Sequence, residues 1–307
     1  MRWEDMGQNR IEIVEVGPRD GFQNLKEYIS MEDKLHFIDG LIGAGVKHIQ
    51  ITSFVSPKAI PQMKDARELA GHCAAMYPDV DLFSLVPNLY GAKAAWECGL
   101  KKTSYVISLS ESHNKANINR TREQSLEELG RIREELPDLT ILSDIATAFA
   151  CPFEGIMMLD GLLELMGKIY GLGVREFVLC DTIGMAHPAQ VREYVRAAMK
   201  EFPDCRFQVH IHDTRNMGIV NTLAAIECGV QGVQSTLGGL GGCPFAPGAS
   251  GNTSTEDLVY MLNRMGYETG IEFEKLLALA KEEHSVIRGA YSGHHINIGA
   301  QACGMNV

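Results

Sequence analysis

The sequence lacks long apolar runs and an excess of basic residues. No stretch of about 18 or more apolar residues is present to cross a bilayer, and the N-terminal segment MRWEDMGQNR lacks the basic-then-apolar order of a secretion signal. The 28 Lys and Arg residues are outnumbered by 39 Asp and Glu residues, and the formal net charge of −11 repels nucleic-acid phosphates. We therefore expect a cytoplasmic protein that binds neither membrane nor nucleic acid.

Paired cysteines and linkers are also missing. The eight cysteines form no CxxC pair and show no regular spacing, which predicts reduced and mostly buried thiols. No Pro-, Gly- or Ser-rich linker divides the 307 residues, and 45% apolar and 22% charged residues are ordinary for a folded protein. The chain is thus predicted to form one domain over residues 1–307.

Short β-branched segments alternate with longer amphipathic segments, as is typical of parallel strands joined by crossover helices. Eight strands are predicted at Ile11–Val16, Val46–Thr52, Val80–Leu85, Thr103–Leu109, Leu139–Ile145, Glu176–Asp181, Arg206–His212 and Gly232–Leu237. Helices are predicted at Met31–Ile42, Ala59–Met76, Ser125–Glu135, Gly155–Tyr170, Pro188–Lys200, Gly218–Cys228 and Thr255–Met265.

Eight strand–helix units in roughly 250 residues predict an α/β protein with a closed (β/α)8 TIM barrel. The barrel would span about residues 11–266, and an extra C-terminal helix at Glu272–Arg288 with a tail would occupy about 267–307. A doubly wound open sheet is the main alternative, but its GxGxxG turn is replaced by GPRDGFQN after the first strand.

Chemistry in such a barrel takes place at the C-terminal ends of the strands. His210 and His212 are two residues apart on the seventh predicted strand, so both imidazoles face one side and could bind a cation; two hydrogen-bonded structural histidines are the alternative. Barrel closure brings Asp20, after the first strand, within reach of the same cation. Two nitrogens and a carboxylate favour Mg²⁺, Mn²⁺ or a similar divalent cation.

A glycine-rich segment, GGLGGCPFAPGASGN, follows the eighth predicted strand. It contains no GK[ST] and is therefore not a nucleotide P-loop, although it could be a merely flexible loop. Cys243 in this segment is placed to exchange a proton with a substrate when the loop closes. Asn252 could be a fourth metal ligand, or Asn252 and Thr253 could cap the following helix.

Two further charged residues lie at the C-terminal ends of predicted strands or just after them. Arg19 could stabilise an enolate oxygen next to a metal, or could form only a salt bridge with Asp20. Asp181 could act in the site or cap the helix predicted to begin at Pro188.

Five motifs together resemble one enzyme family. VEVGPRDGFQN, TSFVSPKAIPQM, DTIGMAHP, HIHDT and GLGGCPFAPGASGNTSTEDLVYML are similar to segments of the 3-hydroxy-3-methylglutaryl-CoA lyases, TIM-barrel enzymes related to isopropylmalate synthases. The similarity extends over roughly Ile11–Arg288. It implies metal-dependent retro-Claisen cleavage of 3-hydroxy-3-methylglutaryl-CoA to acetyl-CoA and acetoacetate, a reaction of leucine degradation.

The resemblance also implies roles for individual residues. The family's metal ligands match Asp20, His210, His212 and Asn252. In the family, the arginine that matches Arg19 stabilises the enolate, and the cysteine that matches Cys243 protonates it.

Further roles follow from the same resemblance. Asp181 and Glu256 match acidic positions linked to activity. The cleavage mechanism itself also needs a base for the hydroxyl proton of the substrate, and Asp20 or His210 is predicted to be that base. Contacts with the acyl-CoA substrate are predicted for Gln23, Gln50, Lys58, Lys115, Asn117 and Asn119; ordinary solvated loops are the alternative for Lys58 and for residues 110–120.

The chain departs from the family pattern near the site. Gln50 and Gln234 stand where the best-known members carry Glu and Asp, and Arg215 and Asn216 stand where they carry Tyr and Gly. A related substrate such as citramalyl-CoA therefore also fits the pattern. A Claisen-condensing synthase and a non-catalytic metal- and CoA-binding protein are two further hypotheses. A homodimer or homotetramer is expected.

Overall fold

The computed structural model describes residues 10–242 and 251–299, and eight parallel strands in these ranges close into a barrel. Two short strands, β6 (Ala150–Cys151) and β7 (Gly155–Ile156), form a separate antiparallel hairpin. The barrel strands are β1 (Glu12–Glu15), β2 (His48–Ser53), β3 (Asp81–Leu85), β4 (Lys102–Ser108), β5 (Thr140–Ala146), β8 (Glu176–Asp181), β9 (Arg206–Ile211) and β10 (Gly232–Ser235). Their order around the barrel is β1-β10-β9-β8-β5-β4-β3-β2.

Helices alternate with the strands, and the predicted (β/α)8 TIM barrel is confirmed. They are α1 (Met31–Gly43), α2 (Ala66–Met76), α3 (Leu89–Glu97), α4 (Glu111–Ile118), α5 (Arg122–Glu135), α6 (Leu159–Gly171), α7 (Pro188–Glu201), α8 (Gly218–Ile226), α9 (Thr255–Arg264) and α10 (Phe273–Val286).

The helix predictions need four corrections. Residues 155–158 do not belong to α6, because Gly155–Ile156 is strand β7 and the helix begins at Leu159. Residues 59–65 do not belong to α2, because the chain forms a short 3₁₀ turn at Pro61–Met63 before the helix begins at Ala66. Helices α3 and α4 were not predicted. The side chain of Asn88 caps α3 by accepting a 2.9 Å hydrogen bond from the backbone N–H of Gly91. The eight residues of α4 are mostly polar, so no apolar periodicity marked them.

Apolar side chains fill the barrel interior below the C-terminal ends of the strands. They are Val14, Val16, Phe83, Leu142, Val178 and Cys180. A larger apolar cluster packs between the strands and the helices. Because inward-facing positions recur every two residues, a residue two positions after an interior apolar residue faces the mouth of the barrel.

Residues after α9 pack against the start of the barrel. The backbone N–H of Glu272 donates to the carbonyl of Ala44 over 2.8 Å, and the N–H of Ile11 donates to the carbonyl of Glu268 over 3.3 Å. α10 lies against α1. These contacts support the proposal that the C-terminal extension and the barrel form one domain.

Six of the eight cysteines lie in the described ranges, and these six are free thiols, as predicted. Cys243 and Cys303 lie outside the described residues. In residues 10–242 and 251–299, no helix has the length and apolar character needed to span a bilayer.

Gly45 provides a test of how the extension packs on the barrel. Its φ of 104° is strained for any residue with a Cβ, and a methyl group there would collide with the backbone carbonyl of Gly270. We expect Gly45→Ala to lower the free energy of unfolding by about 2 kcal/mol or more, measured by urea denaturation. As a control, Gly43→Ala places its methyl group in open space within α1 and should leave stability unchanged or slightly higher. Equal stability of the two variants would contradict this packing.

Candidate active site

A π-helical turn at Gly17–Gly21 follows β1 and presents Arg19 and Asp20 at the mouth of the barrel. Pro18 is the second residue of the turn, where its missing N–H costs no helical hydrogen bond. The turn is held by the buried carboxylate of Glu15, whose Oε1 accepts hydrogen bonds from the backbone N–H groups of Gly17 at 2.8 Å and Leu237 at 2.9 Å. Glu15 thereby joins the turn after β1 to the segment after β10.

Asp20, His210 and His212 converge in this region. One potential ligand atom of each lies within 4.8 Å of the others, and the Nε2 atoms of the two imidazoles are 3.0 Å apart. An antiparallel backbone bridge places Asn252 beside His212. The Nδ2 group of Asn252 donates to Asp20 Oδ2 over 2.9 Å, while its buried Oδ1 atom has no hydrogen-bond partner in the described parts of the chain.

This donor set fits a divalent cation. Two facing imidazole nitrogens need a proton or a cation between them, and the unpartnered Asn252 Oδ1 adds an oxygen to the carboxylate of Asp20. Nitrogen and oxygen donors together suit Mg²⁺, Mn²⁺ and similar ions.

The protonation states also favour metal binding. Burial would raise the pKa of Asp20, but Arg19 and the two histidines outweigh it and lower that pKa to about 2. Burial lowers the pKa of His210, and it lowers the pKa of His212 to about 3. At neutral pH the site therefore offers an ionised carboxylate and two neutral imidazoles, which are the forms that bind metals.

Two buried glutamines orient the residues of the site. Gln234 Oε1 accepts a 3.1 Å hydrogen bond from His210 Nδ1–H, which leaves Nε2 of that imidazole as the ligand atom. Gln50 Oε1 accepts a hydrogen bond from Arg19 Nε, and Gln50 Nε2 donates to Ser104 Oγ over 2.7 Å. The side-chain amides of Gln50 and Gln234 therefore hydrogen-bond to Arg19 and His210 and not to solvent.

A cavity of about 170 Å³ opens onto these groups. Its polar lining consists of Arg19, Asp20, Gln23, His113, Asn117, Asp144, Thr182, His210, His212 and Gln234. Three of these residues, His113, Asp144 and Thr182, were not predicted from the sequence. An acid within the apolar run LTILSDIATAF was the available signal for Asp144.

Two acidic residues predicted to act in the site, Asp181 and Glu256, contact backbone N–H groups and do not line this cavity. Both carboxylate oxygens of Asp181 accept 3.0 Å hydrogen bonds, from the N–H groups of Met185 and Ala186, and burial raises its pKa to about 6. Glu256 Oε2 accepts a 2.9 Å hydrogen bond from the N–H of Gly238. Roles for these two acids in activity stay predictions, and the contacts indicate that they position the turns after β8 and β10.

The hypothesis that Asn252 and Thr253 cap α9 is wrong. Ser254 caps this helix, accepting a hydrogen bond from the N–H of Asp257, while Thr253 Oγ1 donates to the carbonyl of Ile211 over 2.8 Å. Asn252 is therefore free of a capping role.

Of the predicted substrate contacts, Gln23 and Asn117 line the cavity of about 170 Å³, and Gln50, Lys58, Lys115 and Asn119 do not. Lys58 and Lys115 are exposed, and Asn119 directly follows α4 in the left-handed conformation at φ 54°. A neighbouring cavity of about 390 Å³ instead presents Lys26 and Arg288. It shares Gly242 with the first cavity, and Cys243 is the next residue in the chain, outside the described residues.

The family model described as HMGL-like matches residues 10–282. The chain belongs to the HMGL-like family. It is 40% identical to a hydroxymethylglutaryl-CoA lyase of Bacillus subtilis over 89% of this chain and 91% of that protein. It is 41% identical to the mitochondrial hydroxymethylglutaryl-CoA lyase of Homo sapiens over 87% of this chain and 83% of that protein.

Solved HMGL-like structures share the fold. The Bacillus subtilis HMG-CoA lyase superposes with a TM-score of 0.89 at 38% identity, covering 94% of this chain and 97% of that one. An Acinetobacter baumannii HMG-CoA lyase in complex with coenzyme A and 3-methylmalate gives a TM-score of 0.88 at 35% identity, covering 97% and 96% of the two chains.

The histidine pair gives a direct test of the metal site in this HMGL-like protein. We expect His210→Ala and His212→Ala each to lose bound Mn²⁺, because each removes a converging nitrogen, while the circular dichroism spectrum is retained. Metal content after dialysis is the measurement. His72→Ala, which removes an exposed imidazole on α2, is the matched control and should keep its metal. Parental metal content in both site variants would disprove the assignment.

Glu256 gives a test of the buried acids. Burial raises its pKa from 4.5 to about 7, so the folded form holds this proton more tightly than the unfolded chain. The resulting stabilisation is fully present below pH 4.5 and is lost as the pH rises through 7.

Relative to Glu256→Gln, the parent should therefore lose on the order of 2 kcal/mol of unfolding free energy between about pH 5 and pH 8. Urea titrations of both proteins at the two pH values measure this difference. Glu274→Gln, at an exposed position on α10, should show no such change. A pH-independent difference would mean that Glu256 is ionised in the fold.

Proposed function

We propose that this protein is a metal-dependent carbon–carbon lyase that cleaves 3-hydroxy-3-methylglutaryl-CoA to acetyl-CoA and acetoacetate. The convergence of Asp20, His210 and His212 beside Arg19, in one cavity at the C-terminal ends of the strands, carries this proposal. Its membership of the HMGL-like family, with lyases of that name at about 40% identity, supports the substrate.

Asp20, His210, His212 and Asn252 would hold the cation, and Mg²⁺ or Mn²⁺ is the proposed ion. A bound divalent cation supplies Lewis-acid polarisation of a substrate oxygen. The protein contributes a preorganised shell, because Gln234 fixes the tautomer of His210 and Asn252 fixes Asp20.

Arg19 is placed to stabilise the enolate of the departing acetyl-CoA. Its guanidinium donates to Gln50 through Nε and to Asp20 through Nη1 over 2.6 Å, and it lines the cavity at 8% exposure. Held in this way, the positive charge needs no reorganisation as negative charge develops on the thioester oxygen. Cys243, which follows the cavity residue Gly242 in the chain, is proposed to return a proton to the enolate carbon.

The phosphate groups of CoA are proposed to lie against Lys26 and Arg288 in the neighbouring cavity. This cavity continues from the metal site through Gly242. The relative from Acinetobacter baumannii was solved with coenzyme A. Contacts of CoA with Lys58, Lys115 and Asn119 stay predictions, as do a cytoplasmic location and a homodimer or homotetramer.

A related 3-hydroxyacyl-CoA such as citramalyl-CoA is the second candidate substrate. Gln50 and Gln234 are neutral amides whose hydrogen bonds are committed to Arg19, Ser104, His210 and Gln208. They therefore hold the catalytic groups without adding negative charge to the cavity, which changes the polar contacts that an acyl group meets.

Incubation of the protein with Mn²⁺ or Mg²⁺ and each of the two CoA thioesters tests the proposal. We expect acetyl-CoA and acetoacetate from 3-hydroxy-3-methylglutaryl-CoA, identified by mass spectrometry. Cleavage of citramalyl-CoA alone would favour the second candidate, and intact thioesters in both reactions would reject the lyase.

Cys243→Ser supplies a second arm of this test. A thiol has an ordinary pKa of about 8.5, so it can donate a proton near neutral pH, and its loss should lower turnover by about 10²-fold while metal content is kept. Cys98→Ser, on a partly exposed cysteine remote from the cavity lining, is the matched control. Parental turnover in Cys243→Ser would assign the proton donor elsewhere.

A further inference from the structure

Asp144 is a buried acid in the cavity that none of the family motifs includes. It lies on β5, two residues after the interior apolar residue Leu142, and its side chain reaches the mouth of the barrel. Only 5% of the residue is exposed. A buried acid that lines a cavity is expected to have a hydrogen-bonding or chemical task there.

The two bases considered from the sequence, Asp20 and His210, already use their hydrogen-bonding atoms within the site. Asp20 Oδ1 accepts from Arg19 Nη1 and from Gln23 Nε2 at 2.7 Å, and Asp20 Oδ2 accepts from Asn252. His210 donates through Nδ1 and faces His212 through Nε2. Neither of the two bases considered from the sequence keeps an atom for a substrate proton once both serve as ligands.

Asp144 Oδ1, by contrast, is buried and has no hydrogen-bond partner within the described ranges. Among the described residues that line the cavity, it is the carboxylate oxygen left to meet a substrate. Unlike Asp20, Asp144 is not one of the converging ligand groups.

The surroundings of Asp144 bring its pKa close to neutral pH. Burial is the largest influence and raises the pKa of Asp144 to about 7; Arg19, Ser104 and Lys102 lower it, and Asp20 raises it. Cys180 on the adjacent strand β8 is a neutral thiol, because burial raises its pKa well above the ordinary value. A base with this balance is ionised in part at neutral pH and can also release the proton it gains.

We propose that Asp144 is the general base that removes the proton from the 3-hydroxyl group of the substrate. The proposal rests on the proposed lyase function. The hydroxyl proton moves to Asp144 Oδ1, the O–H electron pair forms the ketone C=O of the product, and the pair of the breaking C2–C3 bond passes to the thioester enolate. The enolate carbon then takes a proton from the separate donor, and Asp144 returns its proton to solvent on product release.

Asp144→Asn tests this role, because it keeps the size of the side chain and removes its basicity. We expect kcat for cleavage to fall by about 10²-fold or more, with metal content and the calorimetric Kd for the CoA thioester within a few-fold of the parent. Exchange of the methyl protons of acetyl-CoA in D₂O, which needs the enolate donor and not Asp144, should persist. Ser143→Ala, the neighbouring outward-facing residue of β5, is the control and should retain cleavage.

The pH profile and chemical rescue separate a base from a structural acid. In the parent, kcat/KM should rise as the pH increases through about 7, because only the ionised form of Asp144 accepts a proton, and this limb should vanish in Asp144→Asn. Formate should restore part of the cleavage activity to Asp144→Ala.

The outcomes distinguish the two proposals. Parental cleavage in Asp144→Asn, or joint loss of cleavage, exchange and metal with no rescue by formate, would overturn the role of Asp144 while leaving the lyase intact. A parent protein that cleaves neither thioester would overturn the lyase function and this proposal with it.

Discussion

Closure of the barrel at β10 is the constraint on which the site depends. β10 pairs with β1 on one side and with β9 on the other, so the turn after β1 and the end of β9 lie one strand apart. Residues from opposite ends of the chain are thereby brought to one mouth. Glu15 accepts hydrogen bonds from Gly17, Leu237 and Thr255, and these bonds join the C-terminal ends of β1 and β10.

Polar groups below the mouth of the barrel hydrogen-bond to one another. These hydrogen bonds determine which groups remain able to contact a substrate. Glutamines bind Arg19 and His210, and carboxylates bind backbone N–H groups of the turns. Each satisfied pair holds its members rigid in a region of low polarity. Two of the buried atoms that have no hydrogen-bond partner in the described ranges, Asn252 Oδ1 and Asp144 Oδ1, are those assigned to a metal ion and to a substrate.

The sequence was a good guide where the signal is local. The predicted ends of all eight barrel strands lie within two residues of the observed ends. A β-branched run bounded by polar turn residues is enough to predict a strand, because the signal is local. The His210–His212 pair was equally readable, since a spacing of two on a strand fixes a common face. Helix α4 was missed because its stability comes from capping by Ser110 and not from an apolar face.

The barrel, the histidine pair and the family motifs can be predicted from the sequence alone, since periodicity and spacing are properties of neighbouring residues. Which acids face the cavity depends on contacts between distant parts of the chain. Asp181 and Glu256 accept hydrogen bonds from backbone N–H groups and do not line the cavity, whereas Asp144 lines it and has a buried oxygen without a partner in the described parts of the chain. Hydrogen bonds such as Arg19 to Gln50 and Asn252 to Asp20 join residues 31 and 232 positions apart, and no local pattern encodes partners at such separations.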